Sequence, residues 1–74
     1  MKIYYALDYI SSHDWECELV YRDQLYNTEE EAVAAREETG RPDLFDITWY
    51  GIKDLEEIYN GNIEITPDLV VRII

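Results

Sequence analysis

Thr28-Glu29-Glu30-Glu31-Ala32-Val33-Ala34-Ala35-Arg36-Glu37-Glu38-Thr39-Gly40-Arg41-Pro42 is the stretch from which the rest of the chain is read. Threonine with glutamate three positions later has the form of a capping box, in which the hydroxyl accepts an otherwise unpaired N–H of the first turn. The three successive acids also complement the positive end of the helix dipole. The pattern predicts a helix to about Thr39, ended by Gly40 with Pro42 beyond it as a stop. At about 100° per residue, Ala32, Val33, Ala35 and Arg36 fall toward one side while Glu30, Glu31, Glu37 and Glu38 gather on the other.

A side made mostly of alanine lets a helix approach a sheet closely but buries little area, so the sheet must supply the bulk. Downstream, Leu44 to Tyr50 alternates Phe45, Ile47 and Trp49 against Asp46, Thr48 and Tyr50, a strand whose aromatic face suits the space under the alanines. Upstream, Lys2 to Ile10 alternates Ile3, Tyr5, Leu7 and Tyr9 against Tyr4, Ala6 and Asp8, a second strand. Ser11-Ser12-His13-Asp14 carries turn chemistry, and Trp15, Cys17, Leu19 and Tyr21 then alternate with Glu16, Glu18, Val20 and Arg22. This reads as a strand returning in a hairpin, because a helix from Ser12 would scatter Trp15, Leu19 and Tyr21 without a stripe.

Toward the C-terminus, Ile52, Leu55, Ile58 and Tyr59 have helical spacing across Lys53 to Asn60, with Gly61 placed as a cap. Asn60-Gly61 is equally a type I′ hairpin signal between Glu57-Ile58-Tyr59 and Asn62-Ile63-Glu64; the short helix is the reading adopted. The tail from Ile63 to Ile74 is apolar and β-branched apart from Thr66-Pro67-Asp68, and predicts a last strand at Leu69 to Ile73. The expected architecture is a single α+β domain over residues 1–74: a small antiparallel sheet of about four strands, in the order ββαβ(α)β, with one or two helices packed on one face.

The 74 residues include 17 Asp plus Glu and 6 Lys plus Arg, for a formal charge of -11. With 47% apolar and 14% aromatic residues the chain is hydrophobic enough to fold despite that charge. A core of this size supplies roughly 3–5 kcal/mol, so stability should be modest. Affinity for phosphate backbones comes largely from Lys and Arg displacing counterions, so direct binding to nucleic acid or an anionic membrane is not expected, and a basic protein is the natural partner. Cys17 is the single cysteine, which excludes an internal disulfide. No long apolar run opens the chain, so a signal peptide and a membrane span are not expected, and the expected location is cytoplasmic.

His13, Asp14 and Cys17 are the one group suggesting a thiol nucleophile with a base, or a partial metal site, but alternation places Cys17 beside Trp15 and Leu19, facing the core, where a thiol is inert. No calcium-loop run and no glycine-rich phosphate cradle occur, since Gly40, Gly51 and Gly61 stand alone. Neither catalysis nor a metal or cofactor is expected. Two surfaces remain. The outward side of the sheet is expected to show Tyr4, Asp8, Glu16, Glu18, Asp46, Thr48 and Tyr50, tyrosines for contact area and carboxylates for steering. The helix is expected to show Glu30 and Glu31, with Glu37 and Glu38 about 10 Å further along its axis, a charge spacing that can imitate a phosphate backbone.

In its composition and charge the chain is similar to phage-encoded anti-restriction and anti-CRISPR proteins that mimic nucleic acid. That similarity implies a small inhibitor occupying the nucleic-acid-binding surface of a nuclease or a CRISPR- or restriction-type effector. Two alternatives stand beside it. One is an antitoxin or immunity protein gripping a basic toxin through Tyr4, Tyr50, Glu16 and Glu18. The other is a structural or regulatory subunit forming a homodimer through its C-terminal strand.

Overall fold

The computed structural model describes residues 2–10 and 20–74. Strands β1 (Tyr4–Tyr9), β2 (Leu25–Tyr26) and β3 (Phe45–Tyr50) form an antiparallel sheet in the order β2-β1-β3. Strands β4 (Ile63–Ile65) and β5 (Val71–Ile73) form a two-stranded antiparallel sheet, and two helices complete the fold, α1 (Glu29–Glu38) and α2 (Ile52–Tyr59). The protein is α+β, with helix, strand and helix following one another as the sequence indicates. One strand more is present than the tail suggested, because Ile63–Ile65 pairs with the final strand.

Only the last positions of the expected second strand can be placed. Positions 11–19, and with them the turn at Ser11–Asp14 and most of the strand from Trp15, lie outside the described residues. Tyr21–Asp23 forms a 3-10 turn in which Arg22 and Asp23 both have φ of 56°. That left-handed backbone cannot continue a strand. Among the described residues, pairing with this edge of β1 is made by the two residues after Gln24, in the register Tyr5↔Tyr26 and Ala6↔Leu25.

In α1 the Thr28 hydroxyl accepts the Glu31 N–H at 3.1 Å, and the Glu31 carboxylate reaches back to the Asn27 N–H at 3.3 Å, one residue earlier than an ideal capping box. Gly40, at φ 78°, takes the left-handed position that ends the helix. In α2 the Asp54 carboxylate accepts the Gly51 N–H at 3.1 Å. There the left-handed cap is Asn60, at φ 60°, and the Gly61 N–H bonds the Glu56 carbonyl at 3.0 Å. The hairpin reading of Asn60-Gly61 is thereby set aside in favour of the helix. Asparagine takes over the conformation expected of glycine because its short polar side chain tolerates the left-handed region.

β1 and β3 pair along their whole length, from Tyr4↔Tyr50 to Tyr9↔Phe45. Neighbouring residues of β1 enter different cores. Leu7 joins Ala32 of α1 and Phe45, with Tyr5, Tyr9, Tyr26 and Ile47 around them. Ala6 joins Leu55 of α2, Val20, Leu25 and Val71, with Tyr4, Tyr50 and Tyr59 around them. Successive side chains of a strand point to opposite faces, so the two helices cover opposite faces of the sheet and not a common one. The β4–β5 pair shares the second face with α2. It is tied to β2 by the Leu25 N–H bonding the Leu69 carbonyl at 2.8 Å and by the Gln24 side-chain amide bonding the Asp68 carbonyl at 2.9 Å.

Candidate partner-binding surface

The helical ridge has the disposition its phase requires. Ala32 is buried and Val33, Ala35 and Arg36 are half-buried, while Glu30, Glu31, Glu37 and Glu38 are exposed on the other side; Glu29 is exposed as the first residue of the helix but falls by phase beside Val33 and Arg36. Glu31 is held by its bond to the Asn27 N–H, so its carboxylate has a preferred direction, and the others project from the rest of the ridge. Arg36, the one cation of the helix, lies toward the sheet with its Nε buried. It does not interrupt the anionic side.

The sheet face expected to display tyrosines with carboxylates is arranged differently. Tyr4 and Tyr50 are cross-strand neighbours, both half-buried against the Ala6–Leu55–Val71 core. They are packing residues first, because α2 and the β4–β5 pair cover this face. Asp8 lies directly across from Asp46, and of the two only Asp46 is exposed. Glu16 and Glu18 lie outside the described residues, as do His13, Asp14 and Cys17.

At the Asp8 end of this face the Tyr50 hydroxyl donates to Asp8 Oδ2, while Asp8 Oδ1 is buried without a hydrogen-bond partner among the described residues. Burial raises the Asp8 pKa above the ordinary aspartate value. The hydrogen bond from Tyr50 opposes that rise, with nearby Thr48 acting in the same sense, and the facing Asp46 adds to it. Burial likewise drives the Tyr50 phenol upward, with the hydrogen bond to the Asp8 carboxylate the next cause. Tyr50 therefore stays protonated and acts as a fixed donor to Asp8. On the same side the Tyr59 hydroxyl donates to Asp23 Oδ1 at 2.7 Å, fastening α2 to the turn before β2.

On the other face Tyr9, Tyr21 and Phe45 form an aromatic cluster, with ring centroids 4.8 Å apart for Tyr9–Phe45 and 4.6 Å for Tyr21–Phe45. Beside it a cleft of about 340 Å³ opens between β2 and the end of α1. Tyr21, Arg22, Tyr26 and Glu38 line it, so one ridge glutamate also borders a partly apolar hollow. The Tyr26 phenol is pushed up by burial there, with the Glu38 charge the next cause. Among the described residues no three metal-ligating side chains come together, and no helix is long and apolar enough to cross a membrane.

Trp49 was expected under the alanines of α1 and is instead 62% exposed. The alternation is right: Trp49 pairs with Tyr5, on the face shared by Ile47 and Phe45. What alternation leaves out is reach. The 10 residues of α1 extend over ~15 Å. The 6 residues of β3 extend over ~20 Å, and one end of the strand stays bare. Comparison with known proteins found no matching family model, no matching curated protein and no matching solved structure.

Proposed function

We propose that this is a small acidic binding protein that occupies the nucleic-acid-binding surface of a basic nucleic-acid-handling protein, a nuclease or a CRISPR- or restriction-type effector, and so excludes its substrate. The observation that carries the reading is the ridge on α1, with four exposed glutamates, Glu30, Glu31, Glu37 and Glu38, on a helix whose cation is turned toward the sheet. A groove lined with Lys and Arg to hold phosphates, spaced about 3.4 Å apart on each DNA strand, would accept such a row of carboxylates. The overall charge of -11 would speed the encounter with it. The half-buried Tyr4 and Tyr50 make the sheet face a lesser contributor than the helix.

The test is displacement of labelled duplex DNA or RNA from a basic partner recovered with the immobilised protein. Joint reversal by Glu30→Lys, Glu37→Lys and Glu38→Lys should weaken that displacement at least tenfold at low salt, and less at high salt. Glu31 is spared because its carboxylate also caps the helix. Unchanged affinity in the triple variant would remove the ridge from the account. A second reading is favoured by Ile73 and Ile74, which are 68% and 79% exposed at the C-terminal strand. It is a dimer paired through β5, and light scattering over a concentration series would reveal it.

A further inference from the structure

We propose that the outer edge of β3 is a docking site for an extended segment of a basic partner, which joins the sheet as an additional strand with apolar and cationic side chains in alternation. β3 is the terminal strand in the order β2-β1-β3. The Ile10 N–H bonds the Leu44 carbonyl at 3.0 Å, continuing the β1–β3 register by one residue. In an antiparallel ladder bonded and non-bonded positions alternate, so Asp46, Thr48 and Tyr50 direct their backbone groups at β1 while Ile47 and Trp49 direct theirs outward. Among the described residues, nothing pairs with the outward N–H and C=O of Ile47 and Trp49. Natural sheets blunt such an edge with proline, charged side chains or a bulge; β3 has neither proline nor bulge, and its one charge is Asp46.

The chemistry of the edge selects its occupant. One face of β3 offers Ile47 and the exposed Trp49, and the other offers the exposed Asp46 with Asp8 across from it. An incoming strand with period two would set apolar residues against Ile47 and Trp49 and lysine or arginine against Asp46. A second copy of this chain would add its own charge of -11 to the first. The inference rests on the reading above only in taking the partner to be cationic, and it places the contact on the sheet edge, apart from the helix ridge. Main-chain pairing would supply affinity there, and the alternate side chains specificity.

The experiment uses the whole chain and a short synthetic peptide of alternating lysine and valine, with two controls: the same peptide N-methylated on the amides of one edge, and its glutamate-for-lysine counterpart. Amide hydrogen exchange is read by NMR. Saturation with the lysine peptide should slow exchange at Ile47 and Trp49 about tenfold or more, while Asp46 and Thr48, already bonded to β1, change little. N-methylation on the pairing edge should cost at least about tenfold in Kd, and the glutamate peptide should not bind. Trp49→Pro removes an outward N–H without touching the β1 ladder, and should abolish binding where Trp49→Thr, which keeps the N–H, retains part of it. Circular dichroism checks that both variants fold.

Equal binding of the methylated and unmethylated peptides, or protection confined to α1, would overturn the edge and leave the ridge in place. Protection of Ile47 and Trp49 that rises with protein concentration and no peptide would also overturn the proposal, by making a second copy the occupant. Loss of the edge with the glutamate-reversal effect intact, or the converse, separates this inference from the proposed function.

Discussion

The two faces of the three-stranded sheet are finished by different means. Toward α1, the residues contributed by β1 and β3 are Tyr5, Leu7, Tyr9, Phe45, Ile47 and Trp49, all apolar or aromatic, and the cover is an alanine-faced helix placed by local capping. Toward α2, the same strands contribute Tyr4, Ala6, Asp8, Asp46, Thr48 and Tyr50, and the cover is drawn from α2 and from Val71 and Leu69 near the end of the chain. The first face is continuous in character. The second passes from a dry core around Ala6 and Leu55 to a carboxylate whose second oxygen is buried without a partner among the described residues. Coverage by distant elements thus turns a mixed face into a core, and the cost is concentrated at Asp8.

The comparison breaks most severely at its two leucines. Leu7 and Leu55 are 1% and 0% exposed, one in each core, and Leu7→Ala and Leu55→Ala should each cost about 3 kcal/mol in urea unfolding. A domain whose core supplies roughly 3–5 kcal/mol would then be close to unfolded. A loss below about 1 kcal/mol for Leu55→Ala alone would mean that α2 decorates its face and does not seal it.

Thr28→Ala tests the local side of the contrast. It should cost about 1 kcal/mol and speed amide exchange in the first turn of α1 while leaving α2 unchanged. Equal acceleration in both helices would show that the cap stabilises the whole molecule without acting locally.

The smallest effect belongs to Asp8. Its pKa is raised above the ordinary 3.8, so the folded protein keeps that proton at pH values where the unfolded chain has lost it. The stabilisation is therefore complete below about pH 4 and is lost as pH rises through the raised value. Asp8→Asn keeps an acceptor for the Tyr50 hydroxyl and removes the charge. Urea midpoints measured over the acidic range should fall less steeply with pH in this variant, and an identical slope would show that Asp8 titrates alike in both states.

Much of the α1 side could be read directly. Threonine and three glutamates act within the first turn and Gly40 just past the last, each on its own neighbours, and the exposure of Glu30, Glu31, Glu37 and Glu38 follows from helical phase alone. The α2 side could be read only in pieces. The alternation of β1 gives two faces, but nothing within Tyr4–Tyr9 tells that Leu55 and Val71 come to cover Ala6, so Tyr4 and Tyr50 look like surface residues until the fold brings those elements over them. β2, only 2 residues long, is too short to show a period. The left-handed turn before it at Arg22 and Asp23 lacks the glycine that would have announced it. Trp49 has the correct face and the wrong exposure, because alternation fixes direction but not the length of what lies above.

That two-residue strand has a consequence for how the molecule comes apart. Leu25 turns its N–H away from β1 to Leu69, while Leu25 and Tyr26 pair with Ala6 and Tyr5 on the other side. Among the described residues, β1 and the segment leading into β5 are thus joined through the short stretch Gln24 to Tyr26 from the middle of the chain. Neither sheet can open there without stripping the other of a neighbour, so denaturation should be one concerted event, and refolding must wait for the long-range pairing of Leu25 with Leu69.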